Sequence, residues 1–329
     1  MKIIIIGGGP AGLSSADHLA RGGHEVVVFE KGPVGGNISR YPTYMTWFST
    51  RELLELGGLP LTIPQDKPTR RDYMIYLLRF VEHARLDVRT YHEVLSVTGG
   101  RGGFRVQGRA LNGREFEEQG EIVVLATGAY DHPQRLGVPG EDLPKVSHYY
   151  TEPLPYHGRK VLVVGGRGSA VEAALELWRN GARVSLSYRR EIFPDSLKYW
   201  LRPDIENRIR AGEIQAYMPS HVVSIEPETV TLEHRGKEVS LSNDFVLALT
   251  GYEPDTSFLE KLDVRFDPES KKPEIDPETY ESNVPGIYIV GVMQAGNISS
   301  EIFIENSRRH GEVLARALAK PNGTSGETG

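Results

Sequence analysis

Apolar residues come in short unbroken runs, and the clearest runs end in glycine. Ile3-Ile4-Ile5-Ile6 stops at Gly7-Gly8-Gly9-Pro10-Ala11-Gly12, and Val161-Leu162-Val163-Val164 stops at Gly165-Gly166-Arg167-Gly168-Ser169-Ala170. Four apolar residues without polar alternation are the pattern of a parallel strand covered on both faces. After the first turn the spacing predicts a helix from Leu13 to about Arg21, closed by Gly22-Gly23. After the second it predicts a helix from Val171 to about Arg179, closed by Asn180-Gly181. A further strand follows each helix, Glu25 to Phe29 and Val184 to Tyr188, so the chain holds two βαβ units. Two later segments repeat each other: Ile122-Val123-Val124-Leu125-Ala126-Thr127-Gly128 and Phe245-Val246-Leu247-Ala248-Leu249-Thr250-Gly251. Both lie where the chain would pass between domains. The expected fold is α/β, with two Rossmann-like dinucleotide-binding domains. Residues 1–128 and 252–329 form the first domain, and residues 129–251 form the second, inserted into it. Asp267 to Pro285 reads as surface loop, Ile302 to about Ala319 as one long helix, and the chain from about 321 as a disordered tail.

Composition narrows the chemistry. A chain of 329 residues is long enough for two separate cores. Its 38 Lys and Arg against 44 Asp and Glu give a formal net charge of −6, which argues against a nucleic-acid binder. The absence of cysteine excludes disulfides, thiolate metal sites, iron–sulfur clusters and a cysteine nucleophile. No stretch reaches the roughly 18 apolar residues of a membrane span, and the first strand begins at Lys2, leaving no room for a signal peptide. The expectation is a soluble, cytoplasmic protein that binds neither nucleic acid nor membrane. The ten histidines show no metal-binding spacing, so no metal is expected. The 36 glycines exceed the usual ~7%.

Gly7-x-Gly9-x-x-Gly12 has dinucleotide spacing between a strand and a helix. The first glycine permits a tight turn, the second lets backbone approach a pyrophosphate, and the third allows close helix–strand packing. Glu30 closes the second strand, where a carboxylate can accept from ribose hydroxyls. The alternative is a glycine-rich turn beside an ordinary surface glutamate. The second turn is less regular, with Arg167 in the place of the middle glycine and Ala170 at the third position. Arg167 puts a guanidinium where it can contact phosphate itself. Ser169 and Glu172 read as an S-x-x-E capping box. After the following strand stands Tyr188-Arg189-Arg190 rather than an acid. Paired arginines suit the 2′-phosphate of NADPH, and Tyr188 would stack near the adenine. Two solvated arginines at a strand end are the alternative.

An acid at the first site and arginines at the second imply FAD plus NADPH, with hydride passing from NADPH to flavin N5. Asn297 or Ser299 would cap the long C-terminal helix, with Glu301 in its first turn. The N-terminus of that helix would face the N1/C2 edge of the flavin, or simply be a capped helix end. Tyr41, Trp47 and Phe48 would wall the isoalloxazine, or serve a core or an interface. His148, Tyr149 and Tyr44 are candidate proton donors, and the sequence selects none of them.

With both nucleotide motifs and Thr127-Gly128 in place, the chain resembles the low-molecular-weight thioredoxin-reductase-like flavoproteins, without their Cys-x-x-Cys pair. Longer stretches resemble the YpdA family of bacillithiol disulfide reductases. These are Tyr41-Pro42-Thr43, Phe48-Ser49-Thr50, Leu53-Leu54-Glu55-Leu56-Gly57, Val146-Ser147-His148-Tyr149-Tyr150, Ser169 through Ala174, and Glu301-Ile302-Phe303-Ile304-Glu305-Asn306. The likeness runs from Ile3 to about Gly311. It implies an FAD-containing, NADPH-dependent reductase, a homodimer, acting on the disulfide of bacillithiol. By the same match, Gly9, Pro10, Glu30, Lys31, Asn37 and Thr46 would contact FAD, and Val94 would approach the adenine by its backbone.

The expected FAD set is completed by Gly7, Ala11, Gly12, Thr127, Gly128, Gly291, Asn297 and Ile298. The expected NADPH set is Gly165, Gly166, Arg167, Gly168, Ser169, Ala170, Glu172, Tyr188, Arg189, Arg190 and Gly251. Gly291 aligns with the glycine of the flavoprotein Gly-Asp signature, but Val292 replaces the acid. Members of the family commonly carry a cysteine in the first glycine motif, and here that position is Ala11. A relay through a protein thiol is therefore impossible. Either the reduced flavin serves the disulfide directly or the acceptor is different. The other readings are a reductase of a ferredoxin- or flavodoxin-type carrier, a flavin monooxygenase, and a redox sensor without turnover.

Overall fold

The computed structural model describes residues 1–298 and 301–319, and the chain divides into two compact units. The first unit contains Met1–Arg40, Tyr44–His132 and the chain from Tyr252 onward; the second contains Tyr41–Thr43 and Pro133–Gly251. The passage between units thus falls after His132, four residues beyond the Thr-Gly turn at which the sequence places it. The grouping of Tyr41–Thr43 with the second unit has no counterpart in the sequence reading. Thr43 N–H donates to Thr151 C=O at 2.7 Å, which fastens that short stretch to the second unit.

In the first unit, five parallel strands lie in the order Ile287–Ile289, Ile122–Leu125, Lys2–Ile6, Glu25–Glu30, Asp87–Thr90. Lys2–Ile6 sits in the middle, with Ile3 paired to Val26 on one side and Ile122 on the other. Side chains of a strand alternate faces, so the isoleucine run divides between two cores. Ile3 and Ile5 pack with Leu19, Val28, Val124 and Leu314, on the face covered by helix Pro10–Arg21 and the C-terminal helix. Ile4 and Ile6 pack with Phe29, Val123, Phe104 and Val106 under a three-stranded antiparallel sheet, His92–Thr98, Phe104–Ala110 and Glu115–Gly120. An apolar run without alternation is stable in water only because both faces are covered.

The second unit repeats the plan. Its parallel strands lie in the order Gln215–Tyr217, Arg183–Ser187, Lys160–Val164, Phe245–Ala248, Val146–Ser147. Val161 and Val163 face the core that contains helix Gly168–Arg179. Leu162 and Val164 face the core under the antiparallel strands Ser220–Ile225, Thr229–His234 and Lys237–Ser242.

Three expectations are corrected. Both glycine-turn helices begin three residues early, at Pro10 and Gly168. The second is therefore capped by the backbone of Arg167, with no side-chain cap, and the Ser169–Glu172 capping box does not form. Ser169 falls inside the first turn because the helix rises directly out of the glycines. The C-terminal helix is broken into Ile304–Ser307 and His310–Ala317. At the break, Arg308 C=O accepts the Ser14 hydroxyl, and Arg308 Nη1 donates to the carbonyls of Glu52 and Glu55 at 2.8 Å each. The Ser14 bond takes up the carbonyl that a continuous helix would offer to Glu312 N–H, which bonds Arg309 C=O at 3.0 Å instead. Finally, a helix that the pattern reading did not assign, Arg70–Ala84, is started by a capping box in which Thr69 and Asp72 exchange bonds. The loop reading of Asp267 to Pro285 agrees with its isolated bridges, Phe266 with Pro273 and Ile275 with Ser282.

Candidate functional site

The first glycine turn hangs from the sheet by a bond from Gly7 N–H to Phe29 C=O at 2.8 Å. A Cβ on Gly12 would lie 2.0 Å from Gly7 O, so only glycine lets the helix sit this close. Beside Gly9, in contrast, an added Cβ would meet nothing within 4 Å. The turn is thus packed from behind and open in front, at the first turn of Pro10–Arg21, where backbone N–H groups lack partners. Glu30 is 9% exposed, and its two oxygens accept Gly8 N–H at 2.7 Å and Gly32 N–H at 2.8 Å. A carboxylate oxygen has a second lone pair, so both remain acceptors for a vicinal diol. An open turn, a helix start and a fixed carboxylate fit the ADP half of FAD.

Other expected FAD residues gather around this turn. Lys31 Nζ donates to Asp131 at 2.7 Å, and Arg40 pairs with the same carboxylate while also donating to Asn37 Oδ1 at 2.5 Å. Arg40 also lies over the Tyr130 ring at 5.4 Å. Gly128 faces the Asn37 amide, and Thr127 Oγ1 lies 3.5 Å from Met293 Sδ. A Cβ on Gly291 would stand 3.0 Å from Ala11 Cβ, which brings these two expected positions together. Thr46 bridges to Thr69, and Val94 pairs with Gly108 in the antiparallel sheet. Asn297 donates to Glu269 C=O at 2.9 Å, while its Oδ1 is buried with no partner among the described residues. Ile298 is 42% exposed, and Ser299 lies outside the described residues.

Trp47 is buried against Tyr73, Phe48 is half-exposed against Phe303, and Tyr41 groups with the second unit. What the structure does assemble are the family-like stretches. The Ser49 hydroxyl bonds the Glu305 carboxylate, Phe48 meets Phe303, and Arg308 grips the carbonyls of Glu52 and Glu55. Tyr73 Oη closes the group by donating to Leu54 C=O at 3.1 Å.

In the second unit, a Cβ on Gly166 would lie 2.5 Å from the Tyr188 ring. Tyr188 is 8% exposed and stacks on Phe193 at 6.0 Å, so it props up the turn from within the core. Around this prop stand Arg167, Arg189 and Arg190. All three are exposed, and their side chains make no hydrogen bond or ion pair among the described residues. Gly168 faces open space, Ala170 is buried, and Glu172 reaches toward Lys198 at 3.8 Å. Gly251 follows Thr250, whose hydroxyl donates to Gln134 C=O at 2.5 Å. Three unpaired cations around a turn open at Gly168 fit the phosphates of a pyridine nucleotide.

The three candidate proton donors differ in setting. His148 Nε2 lies 3.3 Å from Glu141, a carboxylate 2% exposed that also accepts Leu136 and Gly137 N–H, so this histidine is tied into a structural network. Tyr149 has its main chain bonded to Ser147 Oγ, and Tyr44 is 57% exposed. Sequence reading missed Arg40 and Asp131, which no motif announces. It also missed His310, although the signal was there: His310, Leu314 and Leu318 recur every four residues and are all buried. His310 Nδ1 accepts Gly291 N–H at 3.1 Å.

Known proteins share this arrangement. The family described as pyridine nucleotide-disulphide oxidoreductase matches residues 4–291. Bacilliredoxin reductase Bdr of Bacillus subtilis is 42% identical, over 97% of this chain and 98% of its own. The structure of bacillithiol disulfide reductase Bdr (YpdA) from Bacillus cereus superposes with a TM-score of 0.94 at 40% identity, covering 97% of this chain and 99% of that one. T. acidophilum thioredoxin reductase, 22% identical, shares the fold with a TM-score of 0.74 over 96% of this chain and 97% of that one. The chain therefore belongs to the pyridine nucleotide-disulphide oxidoreductases and, within them, to the Bdr (YpdA) family: it is a flavoprotein oxidoreductase of thioredoxin-reductase-like fold, working with FAD and a pyridine nucleotide.

Proposed function

We propose that the chain is an NADPH-oxidising reductase of a low-molecular-weight disulfide, bacillithiol disulfide, and that no protein thiol takes part. The observation that carries the reading is the near full-length likeness to Bdr proteins, 42% identical in sequence to one and with a TM-score of 0.94 to another. The net reaction takes NADPH, a proton and one disulfide to NADP⁺ and two thiols. Bound FAD supplies the two-electron chemistry between the nicotinamide and the disulfide. The chain's own residues bind and orient. The Gly7–Gly12 turn and the start of its helix hold the pyrophosphate, and Glu30 accepts the ribose hydroxyls. Arg189 and Arg190 select the 2′-phosphate, with Arg167 on the remaining phosphates. Tyr188 supports this from below, so its role is packing rather than adenine stacking. Ala11 and the lack of any cysteine leave no sulfur to form a mixed disulfide. The reading includes a cytoplasmic homodimer.

The test is anaerobic NADPH oxidation by the purified yellow protein, with bacillithiol disulfide, a ferredoxin or no acceptor added. Acceleration by the disulfide above the other two supports the assignment. Stimulation by ferredoxin alone would move the protein to the carrier reductases.

A further inference from the structure

His310 is a buried titratable side chain that this reading leaves without a role. It is 7% exposed, it opens helix His310–Ala317, and its ring lies on that of Tyr280 with centroids 4.8 Å apart. Its Nδ1 accepts Gly291 N–H at 3.1 Å, which places the ring proton on Nε2. Burial pushes its pKa down to about 4, so the imidazole is neutral in ordinary buffers.

Two contacts plant it there. A Cβ on Gly311 would lie 2.6 Å from Ser14 O, so the last helix presses directly on Pro10–Arg21. The Ser14 hydroxyl also bonds Arg308 C=O two residues before His310. In front of His310, Gly291 has φ 77° and faces Ala11 Cβ. His310, Gly291 and Ala11 thus form a line from the last helix to the glycine-turn helix. Val292 lacks the acid side chain that would reach a ribityl hydroxyl, so the placement of this turn depends on its backbone.

We propose that His310 is a positioning residue of the FAD site: by accepting Gly291 N–H from behind, it holds the Gly291–Val292 turn against Ala11. The inference rests on the reading of the first unit as the FAD site. It touches no reacting atom and acts through Gly291.

The test uses the FAD-loaded protein and two substitutions. His310→Phe keeps a ring but has no acceptor; His310→Asn keeps an acceptor at the δ position. FAD release is followed by the rise of flavin fluorescence after dilution. Loss of one buried acceptor predicts release about tenfold faster for His310→Phe, with His310→Asn within about threefold of the parent. The gap in melting temperature between His310→Phe and the parent should be wider with FAD bound than without it, because the held turn also contributes to keeping FAD. Equal release by His310→Phe and the parent, equal acceleration in both variants, or equal loss of melting temperature with and without FAD would overturn the proposal. If His310→Phe does not fold, ¹⁵N-histidine spectra of the parent decide. The acceptor signal of Nδ1 should move when FAD is removed, and an unmoved signal contradicts the proposal. A parent protein that holds no FAD would sink the FAD reading itself, whereas a parent that holds it with unresponsive variants sinks this inference alone.

Discussion

At the scale of single residues, the glycine turns divide into positions fixed by packing and positions left open for a ligand. Gly12 belongs to the first kind, since a methyl there would penetrate Gly7 O. Gly12→Ala is expected to destabilise the first unit by about 3 kcal/mol or more, seen as a lower urea midpoint, because backbone rather than a flexible side chain must move. Arg189 and Arg190 belong to the second kind. Each charge-assisted contact to a 2′-phosphate contributes on the order of 1.5–3 kcal/mol, so Arg189→Ala or Arg190→Ala should lower kcat/KM for NADPH at least tenfold. Activity with NADH should change little; equal losses with both nucleotides would remove the arginines from cofactor selection. The glycine turns and the place of Glu30 beside the first of them were legible in the sequence because turn chemistry is local. The orientation of Tyr188 was not, because its partners Gly166 and Phe193 come from other segments.

At the scale of elements, the apolar strands beside the two glycine turns and the ends of both turn helices at Arg21 and Arg179 were legible; the helix starts, the break in the C-terminal helix and the antiparallel strands were not. A buried strand declares itself by an apolar run, whereas a break in a helix is decided by whatever its carbonyls meet. The break after Ser307 exists because Arg308 C=O turns to the Ser14 hydroxyl. Ser14→Ala leaves that carbonyl without its donor and is expected to cost about 1–3 kcal/mol, measured by denaturant unfolding. His310, at the head of the next segment, makes this packing acid-sensitive. Its folded pKa of about 4 lies below its ordinary value of 6.5, so the unfolded chain binds the proton more readily between those values. The contribution of the neutral imidazole is fully present above pH 6.5 and is lost as pH falls toward 4. The loss is on the order of 3 kcal/mol. Urea midpoints of the parent should therefore fall more steeply than those of His310→Asn between pH 7 and pH 4.5; parallel slopes would refute the linkage.

At the scale of the whole molecule, the two units use one plan, a parallel sheet with an isoleucine or valine run split between two cores. The two glycine turns were legible because each sits at the carboxyl end of such a run. The assembly of Ser49, Glu305 and Arg308 was not legible, because it joins segments some 250 residues apart. The absence of cysteine also acts at this scale. It predicts that treating the NADPH-reduced enzyme with a maleimide leaves turnover unchanged, whereas a disulfide reductase that relays through a thiol would be silenced. The central claim is disulfide reduction by a protein with no thiol of its own. Its most direct test is the anaerobic yield of bacillithiol from its disulfide, using maleimide-treated enzyme freed of reagent and a measured amount of NADPH. The account predicts two thiols for each NADPH oxidised; NADPH consumption without thiol formation would contradict it.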